Sequence, residues 1–163
     1  MPAGARGKRL TIGLAATQGG SLTRTTLVGA VAASRAQAMV SVADCYLAAG
    51  QREPASLLYA AVGAQFPKTA AGQNATYEAG RLALDLGRPK QARRAFEDYL
   101  ARYPHGVLAG EALFRLCSLA VDAGRFDDAI RCARRYRREQ PHGERTLDTY
   151  FIEATALREG PAD

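Results

Sequence analysis

Apolar and polar positions follow one another along most of this chain with a helical period, and the whole pattern returns every 37 residues. Gly50, Gly87 and Gly124 each close an apolar helical run, Ala55, Ala92 and Ala129 follow five residues later, and Pro67, Pro104 and Pro141 end each unit. A self-similar period of about 20 to 50 residues is the mark of a solenoid, in which each unit buries its apolar face only against its neighbours. The expectation is therefore an all-α chain, an α-α superhelix of about three helix-turn-helix repeats plus a C-terminal capping helix.

The central unit shows how each repeat is built. Its helix A, about Asn74 to Leu86, stops at Gly87, the residue that accepts the left-handed conformation of a helix C-cap. Pro89 opens helix B, where a missing N–H costs nothing because first-turn donors are orphans anyway, and Pro104 stops it after Tyr103. The first unit repeats this with Gly50, Pro54 and Pro67, whereas the third opens helix B with Asp127 and Asp128, which favour the positive end of a helix dipole. Small residues recur at Ala43, Gly80 and Cys117 on helix A and at Ala55, Ala92 and Ala129 on helix B, where two helix backbones can approach closely. Larger ones share a second face of helix B: Tyr59 and Phe96, then Val62, Tyr99 and Tyr136 three residues on.

This arrangement resembles the tetratricopeptide repeat (TPR) family, whose unit has small residues where helices A and B cross, an aromatic on helix B and a closing proline. The resemblance covers residues 36 to 157. It departs from the family's usual 34-residue unit, because three extra residues follow the proline, in Pro67-Lys68-Thr69, Pro104-His105-Gly106 and Pro141-His142-Gly143, so that helix A starts late or carries an extra turn. Tyr46 is the remnant of the aromatic signature on helix A. Longer units with a Tyr-Pro-x-small turn, as in Tyr103-Pro104-His105-Gly106, are similar to bacterial envelope proteins of the class, notably the Tol-Pal associated periplasmic repeat protein and the outer-membrane assembly lipoprotein. The resemblance implies a right-handed superhelix with helix A of each unit on the concave face.

In this frame residues 21–163 form the repeat domain, with units at about 36–72, 73–109, 110–146 and a half unit at 147–160. Residues 1–20 carry basic residues, no acid and no sustained period, and read as a flexible basic tail. Two other readings reach to residue 38: an export signal, built from the apolar run Leu27 to Ala33 and the small triplet Ala36, Gln37 and Ala38, or a linker. That seven-residue run is far below the roughly 18 to 20 apolar residues a spanning helix needs, so no transmembrane span is expected. Bacterial periplasm or envelope and cytoplasm both stay open, and the oligomeric state is not set.

Charge and chemistry narrow the function. The formal net charge of +6 comes from Arg6, Lys8, Arg9, Arg24 and Arg35, all of which precede the first acid, Asp44; the remaining 17 basic and 16 acidic residues nearly cancel. A near-neutral body gives little steering toward phosphates, so nucleic acid is not the expected partner. Cys45, Cys117 and Cys132 read as small buried thiols, their odd number pointing to a reducing compartment. His105 and His142 occupy equivalent turns one repeat apart and cannot pair on a metal or serve as a general base; no phosphate loop or nucleophile motif is present. Neither enzyme nor cofactor nor metal site is expected.

What remains is a binding scaffold that takes a protein, a peptide or a partner helix. Tyr77, Phe114 and Phe151, with Val40 in the first unit, occupy one helix-A position and form a ladder. Asp44, Arg81 and Ser118 lie one turn on, with Glu78 and Arg115 beside them. These nine residues are the candidate partner-binding groove, although packing between repeats would explain the aromatic rungs equally well. The alternative is a nucleic-acid accessory protein using the basic tail and the helix 131–138, where Arg131, Arg134, Arg135 and Arg138 share a face.

Overall fold

The computed structural model describes residues 24–160; the tail 1–20 lies outside the described residues. Seven helices follow one another without strands among the described residues: α1 (Arg24–Ala48), α2 (Arg52–Gln65), α3 (Ala70–Asp85), α4 (Pro89–Arg102), α5 (Ala109–Asp122), α6 (Phe126–Glu139) and α7 (Thr146–Glu159). Each helix packs on its sequence neighbour, and α1 also meets α3 as α5 meets α7. This is the stacked order of a solenoid, with three A–B hairpins and a last A helix.

The A-to-B turns repeat one mechanism. Gly50, Gly87 and Gly124 have φ of 75°, 68° and 66°, the left-handed region in which a side chain would be strained. At each, the glycine N–H and the next N–H donate back into the last turn, as in Gly87 to the Leu84 carbonyl at 2.9 Å and Arg88 to the Ala83 carbonyl at 2.8 Å, the Schellman pattern that satisfies orphan carbonyls.

The B-to-A turns differ between units. In the second and third, the N–H groups of Leu108 and Arg145 donate to the hydroxyls of Tyr99 and Tyr136, both at 3.2 Å, so one buried tyrosine per repeat pins the longer turn. Gly106 and Gly143 leave room for it: a Cβ would lie 2.6 Å and 2.5 Å from those hydroxyl oxygens. Val62 holds the equivalent place in the first unit and has no hydroxyl. There the Thr69 side chain accepts from Gly72 N–H at 3.0 Å and caps α3, which starts at Ala70, four residues ahead of the Asn74 start read from the sequence. The extra residues therefore become an extra helical turn in one unit and a pinned loop in the other two.

Three core clusters, one per repeat, contain the small residues at the helix crossings. Ala43, Ala55, Ala92, Cys117 and Ala129 are fully buried, as are Phe96 and, nearly so, Tyr59, Tyr99 and Tyr136. Gly80 meets Ala95 and Phe96 across the α3–α4 crossing.

Two sequence expectations need correction. Cys117 and Cys132 are not thiols but a disulfide, since the crossing of α5 and α6 brings their Cα atoms to 5.2 Å, within the usual range of about 4.4 to 6.8 Å. Cys45 is the free cysteine and is exposed, not buried. The apolar run Leu27–Ala33 is also not an isolated seven residues. It is continuous with α1, of which Thr25–Ala48 is long and apolar enough to cross a membrane by length and composition. Ala36 and Ala43 of that helix are fully buried in the first core cluster, which puts its second half in the repeat body, while Leu27, Val28 and Val31 remain exposed.

Candidate functional site

The A helices α1 and α3 stand side by side and leave a cleft of about 480 Å³ between them. On α1 the lining residues Gln37, Val40, Asp44 and Leu47 recur at three- and four-residue spacing. On α3, Ala71, Asn74, Glu78 and Arg81 do the same, so each helix presents one stripe. Tyr59 of α2 and Leu108 also reach it. Four of the nine residues expected in a groove, Val40, Asp44, Glu78 and Arg81, are thus brought together.

The charges of the cleft are arranged. The Tyr59 hydroxyl donates to an Asp44 carboxylate oxygen. Burial first, then the hydrogen bond to Asp44 and the Asp44 charge, push that phenol well above its ordinary range, so it stays a donor. Arg81 bonds Glu78 at 2.8 Å and Asp85 at 3.0 Å. Burial works against its charge, but the two carboxylates outweigh it and hold the guanidinium more firmly protonated. One cation is therefore shared by two acids, and Asp44 adds a further negative charge. The cleft is acidic, with amide donors and acceptors at Gln37 and Asn74 and apolar contacts at Val40 and Leu47.

The other five residues lie elsewhere. Tyr77 is 5% exposed and packs against Phe96 and Tyr99, with ring centroids at 5.5 Å and 6.2 Å. Burial raises its phenol, and an Arg115 bond opposes that rise. Arg115 itself is held by Glu111 at 2.9 Å. Phe114 is half-buried against the third core cluster with the Arg145 guanidinium 5.1 Å from its ring centre, and the Ser118 hydroxyl bonds back to the Phe114 carbonyl. Phe151 is 75% exposed on α7. The ladder is therefore no continuous wall: its middle rungs pack between helices and its last rung faces solvent.

Beside the four expected residues the lining holds Gln37, Leu47, Tyr59, Ala71, Asn74, Ala75 and Leu108. Gln37 and Leu47 were legible, because they complete the three-and-four spacing around Val40 and Asp44; Leu108 was not, since its position follows from the turn that Tyr99 pins. Most of the α6 arginines turn out to be ion-paired, with three carboxylates serving four of them. Arg131 bonds Asp128 at 2.5 Å, Arg134 bonds Glu153 at 2.6 Å, Arg135 bonds Glu139 at 2.9 Å and Arg137 also holds Glu153, which leaves Arg138 without an ion pair among the described residues.

Residues 83–145, the second half of one repeat and most of the next, match the family model of the tetratricopeptide repeat. Two crystal structures of a kinesin-light-chain-like protein of Podosopora anserina, built from nearly identical TPR-like repeats, superpose with TM-scores of 0.59 and 0.57 at 18% sequence identity. The match covers 77% of this chain, and 66% and 67% of those chains, so this chain spans about two thirds of their length. A search of curated proteins found no significant match. The fold is an all-α TPR-like superhelix, and the match to the family model is confined to residues 83–145.

Proposed function

We propose that this protein is a non-catalytic scaffold that takes an extended peptide or partner helix in the cleft between α1 and α3. The observation that carries this is the acidic, partly apolar cleft itself: Asp44 and Glu78, with Arg81 held by Glu78 and by Asp85 outside the lining, beside Val40 and Leu47. Such a surface suits a segment carrying lysine or arginine next to an apolar residue. Association would be steered by charge, and the apolar contact would set the residence time. TPR proteins generally act as scaffolds of this kind, which is the family-level support. The Cys117–Cys132 disulfide favours an oxidising compartment, as in a bacterial envelope assembly, over the reducing one that three thiols suggested. The nucleic-acid alternative loses support because four of its five α6 arginines are already ion-paired.

Selection from a random peptide library on the immobilised protein tests the reading. Recovered peptides should be rich in Lys or Arg beside an apolar residue, and their binding should fall about tenfold or more in Glu78→Lys with an unchanged melting temperature. Peptides without that pattern, or an unchanged affinity in Glu78→Lys, would remove the cleft from consideration.

A further inference from the structure

The positions that helix B covers in the complete repeats are uncovered on α7. Tyr77 and Ala83 of α3 are 5% and 0% exposed beneath α4, and in α5 the same places hold Phe114, half-buried against the third core cluster, and Ala120, 4% exposed. On α7 the same places hold Phe151 and Leu157, 75% and 63% exposed, with Leu147 at 80% and Tyr150 at 57% alongside. The face that α7 turns to the body is instead Thr149, Ile152 and Ala156; Tyr150 lies at its border, with the Arg137 guanidinium of α6 4.1 Å from its ring centre, and Phe151 and Leu157 do not cap the third repeat. The outer face of α7 is therefore a contiguous exposed apolar patch, the kind of surface that marks a contact site.

We propose that this outer face binds a second copy of the same chain, α7 against α7 in antiparallel, joining two solenoids end to end. Three features select that occupant. Leu147, Tyr150, Ala154 and Leu157 are spaced three, four and three residues apart, the seam of a two-helix contact. In an antiparallel pair Tyr150 then falls opposite Ala154 of the second copy and Leu147 opposite its Leu157, so large meets small in the middle, and the two Phe151 rings meet beside the two-fold axis. Finally, Glu144, in the turn just before α7, comes opposite Arg158 of the second copy, whereas a parallel pair would set like charges together. The four large side chains offer roughly 500 Å² per protomer, taking about 150 to 250 Å² for a fully buried aromatic. That is below the roughly 800 Å² per partner of a standard interface, which makes the dimer a micromolar-to-millimolar one. The cleft between α1 and α3 is at the other end of the body and stays free, so this assembly does not depend on the peptide reading.

Sedimentation equilibrium of the full chain from about 5 µM to about 500 µM tests it, with circular dichroism as the check on folding. The expected result is concentration-dependent dimerisation that weakens at least about tenfold in Phe151→Glu and in Arg158→Glu, with helicity unchanged, and that returns in the double variant Glu144→Arg, Arg158→Glu. A monomer across the range, or a dimer indifferent to Phe151→Glu, overturns the proposal. A double variant no tighter than Arg158→Glu alone overturns the antiparallel arrangement.

Discussion

One repeat position, truncated in three units, separates packing from exposure. Tyr77, Phe114 and Phe151 are aromatics at the same place in consecutive A helices, yet their surroundings differ. Tyr77 is enclosed by Phe96, Tyr99 and Ala112, so Tyr77→Ala removes a buried ring and leaves a cavity, a loss of about 3 to 5 kcal/mol. For a domain of this size, each kcal/mol moves the melting temperature by about 3 to 4 °C. A fall of roughly 10 to 20 °C is expected. Phe114 keeps one side on the third core cluster and the other under Arg145, and Phe114→Ala should cost about 2 to 3 kcal/mol, the lower part of the large-to-small range. Phe151→Ala removes a mostly hydrated ring and should change stability by less than about 0.5 kcal/mol. Thermal unfolding by circular dichroism at about 5 µM, where little dimer forms, reads all three. Equal losses in Tyr77→Ala and Phe151→Ala would refute the exposed outer face of α7, and a harmless Tyr77→Ala would refute the packed middle.

Two further outcomes follow from polar and covalent contacts. Glu153, 14% exposed, joins Arg134 and Arg137 of α6 to α7; burial opposes its charge but the two arginine bonds outweigh that and hold its carboxyl below the usual range. A depressed carboxyl stabilises above its unfolded-state value and loses that contribution as pH falls through the folded value, so the wild type should lose more stability than Glu153→Gln in urea unfolding between pH 7 and about pH 3.5. At pH 7 the variant itself should cost about 1 to 3 kcal/mol, and an equal pH response in both proteins would show that the pair does not hold α7. Reduction of Cys117–Cys132, 15 residues apart, should lower stability by about 3 kcal/mol through restored chain entropy in the unfolded state, measured as the melting temperature with and without dithiothreitol; no shift would mean that the two helices are held by packing alone.

Much of this molecule is written in residue identity. The three positive-φ glycines, the small residues at the crossings and the tyrosine-and-valine stripe of helix B are legible because each answers a local demand that recurs every 37 residues: a left-handed cap, a close backbone approach, a buried face. Asp44, Glu78 and Arg81 could be placed on one side of their helices for the same reason, since i, i+3 and i+4 spacing is a property of a single helix.

Three-dimensional stacking decided the rest. Register alone makes Tyr77 and Phe151 equivalent, and only the presence of α4 over one, with no described helix over the other, makes the first a core residue and the second a surface. Cys117 and Cys132 lie 15 residues apart without a motif, and become a disulfide because two helices cross where both have small side chains. Arg134 looks like part of a phosphate-binding face until α7 brings Glu153 against it. Local sequence fixes which way a side chain leaves its own helix, but what it meets is set by the next helix in the stack, whose distance along the chain leaves no mark on the residue itself.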